Sequence, residues 1–212
     1  VDRSYVERMH SLLDPMPPGA KLVLLAFDRV YSESGELALS RSSFYVPNAY
    51  ARAVAQRYPD RFEWAASIHP YRRDCVVALE AAAGQGARAV KWLPAAMGID
   101  PGSALCDDFY SALARLDLPL ITQAGLERAV HGSDMPEYGN PLRLQRALDH
   151  GVRVVMAHCA SMGQDRDLDR GPNGPMVDSF ELFERMMEVP RFVGKLFGDL
   201  SALPQYARAP QA

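Results

Sequence analysis

The chain has 212 residues, of which 48% are hydrophobic and 23% charged, with a net charge of −3. That is the make-up of a globular domain with one sizeable core. The interspersed charge argues against a nucleic-acid surface or a polybasic membrane surface. No run reaches the ~18 apolar residues of a membrane span. Cys75, Cys106 and Cys159 are few, odd in number and far apart. They suit a reducing compartment and give no disulfide framework or zinc spacing, so a cytoplasmic location is expected.

In chain order, Arg3 to Leu13 places Tyr5, Val6, Met9, Leu12 and Leu13 at helical spacing. The Asp14 to Gly19 stretch, with Pro15, Pro17 and Pro18, stops that helix. Lys21 to Phe27 is a continuous apolar run of the kind buried on both faces of a parallel sheet. Tyr31 to Ser43 reads as a loop, Pro47 to Tyr58 as a helix and Phe62 to Ile68 as a strand. Arg73 to Ala83 is a helix ended by Gly84 and Gly86, and Ala87 to Trp92 is the next strand.

Asp107 to Leu116 is helical, with Phe109, Tyr110, Leu113 and Leu116 facing inward, and Leu118 to Thr122 is a strand. Asn140-Pro141 caps and opens a helix. Val152 to Ala157 is a β-branched strand after Gly151, and Met162 to Pro175 is a polar loop. Val177 to Met187 is a helix with Phe180, Phe183, Met186 and Met187 inward, and Phe192 to Phe197 is the sixth strand.

Six strands separated by helices predict an α/β fold of β–α units around a parallel sheet. The repeat of ~25–40 residues is that of a (β/α)8 barrel. Six units do not close such a barrel, so the alternative is an open, doubly wound sheet. In a parallel α/β protein chemistry gathers outside the carboxyl ends of the strands. Those ends carry Asp28, His69, Lys91 with Trp92, Gln123, His158 with Cys159, and Asp199. His131 lies in a nearby loop without a spacing argument, and His10 and His150 fall on helices away from the mouth.

Five blocks, Ser67 to Arg72, Gly86 to Pro94, Ile121 to Gly125, Ala157 to Ser161 and Gly198 to Leu203, resemble the amidohydrolase superfamily. Within it they are similar to the amidohydrolase-2-like metal-dependent hydrolases. The resemblance runs over about residues 20 to 205 and implies one partial TIM-barrel domain over 1–212. It implies one or two divalent metals, zinc in the first instance, and hydrolysis of an amide, ester or lactone bond in a small organic molecule. Related branches decarboxylate.

By this resemblance His158 and Lys91 take catalytic and metal-binding positions, and Gln123 falls where the family has a histidine ligand. His69, Trp92 and Asp199 would contact substrate. Lys91 is alternatively a salt-bridge partner of Asp28 or Asp199. Asp199 is alternatively a cap for Ser201. The chain contains no His-x-His. The family's first strand would thus precede Val1 and its eighth would follow Ala212. A small-molecule substrate is the expected partner, with room for a homo-oligomer. The rival function is a non-catalytic small-molecule-binding protein on the same barrel.

Overall fold

A computed structural model describes residues 2–126, 130 and 135–202. Helix α1 (Asp2–Leu13) precedes strand β1 (Leu22–Leu25), and α2 (Asn48–Arg57) leads to β2 (Phe62–Ala66). Next come α3 (Cys75–Gly84), β3 (Ala89–Trp92), the short α4 (Pro94–Met97), α5 (Asp107–Arg115) and β4 (Leu120–Gln123). The rest is α6 (Gln145–Asp149), β5 (Val154–Ala157), β6 (Gln164–Arg166), β7 (Met176–Asp178), α7 (Ser179–Met187) and β8 (Leu196–Gly198).

The main sheet has six strands in the order β1-β2-β3-β4-β5-β8. Every pairing in it is parallel. The order never reverses. Right-handed crossovers without a reversal put every connecting helix on the same face of the sheet. A doubly wound sheet needs a switch point where the order turns back. The arrangement is therefore an incomplete barrel of the TIM type, with β1 and β8 as its edges.

Alternation along each strand sorts the residues. Phe62, Trp64, Val90, Trp92, Leu120, Val154, Met156 and Leu196 belong to the hydrophobic core. That core lies between sheet and helices, where Leu79 of α3, Phe109 and Leu113 of α5, and Leu182 and Phe183 of α7 meet it. The intervening residues line the inner face. One row there runs Lys91, Ile121, Val155, Phe197 across β3, β4, β5 and β8, and Gln123 pairs with Ala157 one step nearer the carboxyl ends. The expectation that the first strand is buried on both faces does not hold. Val23 and Leu25 are 45% and 46% exposed, because β1 is an edge and its inner face has no neighbour on one side.

Two helical faces are narrower than their spacing suggests. In α1, Tyr5 and Leu12 are exposed while Leu13 is buried. In α7, Phe180 and Met187 are exposed, and Leu182 with Phe183 and Met186 faces the core. In both helices the exposed pair stands seven residues apart, at the margin of the apolar stripe.

The segment expected as a polar loop, Met162 to Pro175, contains β6. This strand pairs antiparallel with β7, whose last two residues were assigned to the following helix. Asp167 explains why the hairpin stays put. Its fully buried carboxylate takes the Arg185 guanidinium at 2.7 and 3.0 Å, tying the excursion to α7. Asn140 caps its turn as expected, accepting from the Leu142 amide at 3.0 Å. Its own amide donates to the Arg166 carbonyl at 2.7 Å.

Candidate active site

Lys91, Gln123 and His158 stand at the carboxyl ends of three adjacent strands. Lys91 sits on the inner face beside Ile121, and Gln123 is the next inward residue after Ile121 on β4. Gln123 is level with Ala157, the residue before His158. Lys91 and Gln123 are buried, 7% and 5% exposed. The Gln123 Nε2 atom is solvent-inaccessible and has no hydrogen-bond partner among the described residues, and the Ser161 hydroxyl is in the same state. Buried donors are normally satisfied, so such orphans ask for a reason.

His158 follows the end of β5, and its side chain is partly accessible. Its Nδ1 lies 2.7 Å from the Ser201 carbonyl oxygen and 3.1 Å from the Ser201 hydroxyl. Asp199, just past β8, accepts the Ser201 amide at 3.0 Å on Oδ1 and the Ser201 hydroxyl on Oδ2. Aspartate thus does cap Ser201, a local habit of the residue. It also stands 3.8 Å from His158 Nδ1. Burial pushes the Asp199 carboxyl up, but the Ser201 hydroxyl and amide and the His158 amide together bring it below the usual range.

Two expected substrate contacts point elsewhere. Trp92 follows Lys91 on β3, so it faces the helices, fully buried. It stacks on Phe109 with ring centroids 5.5 Å apart, and its Nε1 donates to Thr122 Oγ1 at 2.7 Å. Strand periodicity alone separates the two neighbours. His69 is fully buried with both ring nitrogens taken by backbone. Nε2 donates to the Met97 carbonyl at 3.0 Å, and Nδ1 accepts the Tyr71 amide at 3.2 Å. Burial lowers its pKa to about 4. His69 braces the β2 end and offers no lone pair to a ligand.

Cys159 is buried against the Asp199 carbonyl at 3.5 Å, and burial raises its thiol pKa, as suits an inert apolar group. His10 packs edge-to-face with Tyr58 and Phe62, ring centroids 4.5 and 5.0 Å apart. His150 contacts Asp107 at 3.1 Å. His131 lies outside the described residues.

A second group stands at the other carboxyl ends, around the Asp28 already expected at a strand end. Asp28 is buried and accepts the His69 amide at 3.0 Å, Arg72 Nη1 at 3.1 Å and the Arg29 amide at 2.8 Å. The Arg29 guanidinium lies 4.3 Å over the Tyr45 ring. Arg41 Nη2 approaches the C-terminal end of α4 so closely that a Cβ on Gly98 would come within 2.7 Å. Among the described residues neither Arg29 nor Arg41 has a carboxylate partner. Single arginines carry no spacing signal, so the contacts that Arg29 and Arg41 make are read only from the structure.

The metal implied by the family resemblance finds too few ligands here. Among the described residues no group of three or more His, Cys, Asp or Glu is arranged to hold one. The expected set reduces to the His158 imidazole, a lysine and an amide. A structural or catalytic zinc takes three or four nitrogen, sulfur or carboxylate donors. The described residues therefore do not by themselves fit a metal.

Residues 29–211 match the profile of a family described as amidohydrolase. No curated protein is matched by the chain. Among solved structures, 4-oxalomesaconate hydratase from Rhodopseudomonas palustris aligns with a TM-score of 0.54 at 16% identity, over 94% of this chain and 60% of that one. An amidohydrolase from Staphylococcus aureus, named only by that class, aligns with a TM-score of 0.51 at 12% identity, over 94% of this chain and 72% of that one. A protein described as amidohydrolase II gives 0.48 at 17% identity, over 76% of this chain and 56% of that one. These likenesses are to the fold, and the chain spans just over half the length of the first and last of the three. With the profile covering most of its length, the chain belongs to the amidohydrolase family.

Proposed function

We propose that this chain carries the substrate-binding mouth of a hydrolase or lyase acting on a small organic molecule, with residues 1–212 forming part of one barrel domain. What supports this reading is that Lys91 and Gln123 stand on the inner face near the carboxyl ends of the adjacent strands β3 and β4, and that His158 directly follows Ala157, the β5 partner of Gln123. A buried lysine, an unsatisfied amide donor and an imidazole with an available nitrogen can polarise a carbonyl or carboxylate and move a proton. The Arg29 and Arg41 guanidiniums at the ends of β1 and β3 favour an acidic substrate, since guanidinium matches carboxylate geometry.

In this reading Lys91 and Gln123 hold the reacting group and His158 Nε2 accepts or returns the proton. Amide, ester or lactone hydrolysis builds negative charge on the attacked oxygen and decarboxylation moves it from the carboxylate to the carbon left behind, so donors at this mouth would serve either. A divalent metal, zinc first, stays part of the proposal at the level of the family only. No step is assigned to it. Among the described residues no helix is long and apolar enough to cross a membrane. A cytoplasmic location and a homo-oligomer are proposed on the sequence alone.

The test is a panel of small organic acids, esters, amides and lactones offered to the full-length protein, beside Lys91→Met and His158→Ala. Turnover lost in both variants supports the reading. Turnover unchanged in both overturns it.

A further inference from the structure

His158, Cys159 and Ala160 all have left-handed backbones, with φ of 56°, 52° and 50°. One non-glycine residue in that region is uncommon, and three in a row form a left-handed turn that L-residues resist. Such a turn persists only where its surroundings fix it. Here Ala160 is fully buried, and the Cys159 sulfur rests on β8, where a Cβ on Gly198 would come within 2.7 Å of it. The Ser161 amide closes the turn onto the His158 carbonyl at 3.0 Å. The turn carries the imidazole sideways from β5 to the segment after β8.

Proton bookkeeping then decides the ring. The Ser201 carbonyl, 2.7 Å from His158 Nδ1, can only accept, so Nδ1 carries the hydrogen. The lone pair of the neutral ring is on Nε2. The Ser201 hydroxyl gives its proton to Asp199 Oδ2 and so stands toward Nδ1 as an acceptor. Serine, histidine and aspartate are adjacent here, but their order forbids a nucleophilic triad. Nδ1 is already protonated and the serine proton is committed to the carboxylate.

We infer that Asp199 and Ser201 are positioning residues for His158. Asp199 holds Ser201, and the Ser201 carbonyl oxygen locks the imidazole as the Nδ1–H tautomer with Nε2 turned to the mouth. The inference uses the proposed function only for the meaning of the mouth. Its test reads the ring and not turnover. Turnover with the opposite tautomer would keep the function and remove the inference. This tautomer without turnover would do the reverse.

The experiment is a two-bond proton–nitrogen correlation spectrum of the full chain carrying 15N-histidine. His158 is expected to show a pyrrole-like Nδ1 and a pyridine-like Nε2. His69, which donates from Nε2 to Met97, is an internal reference for the opposite tautomer and a report that the chain is folded. Asp199→Ala removes both bonds to Ser201 at a partly accessible side chain. It should convert His158 to a mixture of tautomers with converging nitrogen shifts, leaving His69 unchanged. Ser201→Ala keeps the carbonyl and should keep the Nδ1–H form. A wild-type His158 protonated on Nε2, or a His158 pattern indifferent to Asp199→Ala, overturns the inference. Loss of the tautomer in Ser201→Ala overturns the role of the carbonyl.

Discussion

Lys91 and Trp92 are consecutive residues on opposite sides of β3. Lys91 lies on the inner face beside Ile121, while Trp92 reaches through the helix side of the sheet to Thr122. One residue serves the candidate site and the other the core. Their substitutions should therefore separate stability from function.

Trp92→Ala removes a fully buried indole stacked on Phe109 and should cost roughly 3–5 kcal/mol. Urea denaturation measures it. Lys91→Met should leave a folded protein whose turnover falls by at least roughly 100-fold, the scale of one group active in proton transfer. A Lys91→Met protein with wild-type turnover would remove Lys91 from the site.

Gln123 gives the opposite sign on stability. Among the described residues its buried Nε2 has no partner, which costs about 1–3 kcal/mol against a satisfied or apolar side chain. Gln123→Met, of similar length, should hold or raise the thermal midpoint while weakening binding of the substrate. A lower midpoint would mean that the amide is satisfied in solution and serves the fold.

The His69 brace sets a pH dependence. Its folded pKa of about 4 lies below the ordinary 6.5, so between these values the unfolded chain binds more protons. Stability should fall as pH drops from about 6.5 toward about 4, by roughly 3 kcal/mol in total. His69→Gln should flatten that slope. Urea midpoints of both proteins at several pH values isolate the contribution, since the carboxylates are common to both.

The β6–β7 hairpin should depend on one ion pair. Arg185→Ala leaves the buried Asp167 carboxylate with the Asp169 amide and Arg170 at 3.3 Å. Stranding a buried charge costs roughly 3–5 kcal/mol, and the partly accessible guanidinium puts this case at the low end. Hydrogen exchange should show 164–178 losing protection first. Uniform loss across the sheet would tell against a local anchor.

Five of the main-sheet strands and most helices were legible because their signals are local. The sixth, expected over Phe192 to Phe197, forms only at Leu196–Gly198, because Pro190–Phe192 makes a 3-10 turn and Gly194 follows with a positive φ. A short apolar run bounded by glycine and proline needs no partner to declare itself a strand, and Asn140-Pro141 declares a cap. The residues at strand ends were legible for the same reason. The hairpin at β6 and β7 was not, because Gln164, Asp165 and Arg166 carry no strand signal and are held there by Asp167 reaching Arg185 on another element.

The amino-acid order by itself determined the sequence of β–α units, the family resemblance and the identity of Lys91, Gln123 and His158 as candidates. Tertiary structure alone decided which strand-end residues face inward and which are closed off. The phase of β3 turned Trp92 away, burial closed both nitrogens of His69, and the non-reversing strand order put all helices on one side. These depend on which face of a strand meets which neighbour. Contacts between residues far apart in the chain settle that, and no window of sequence contains them.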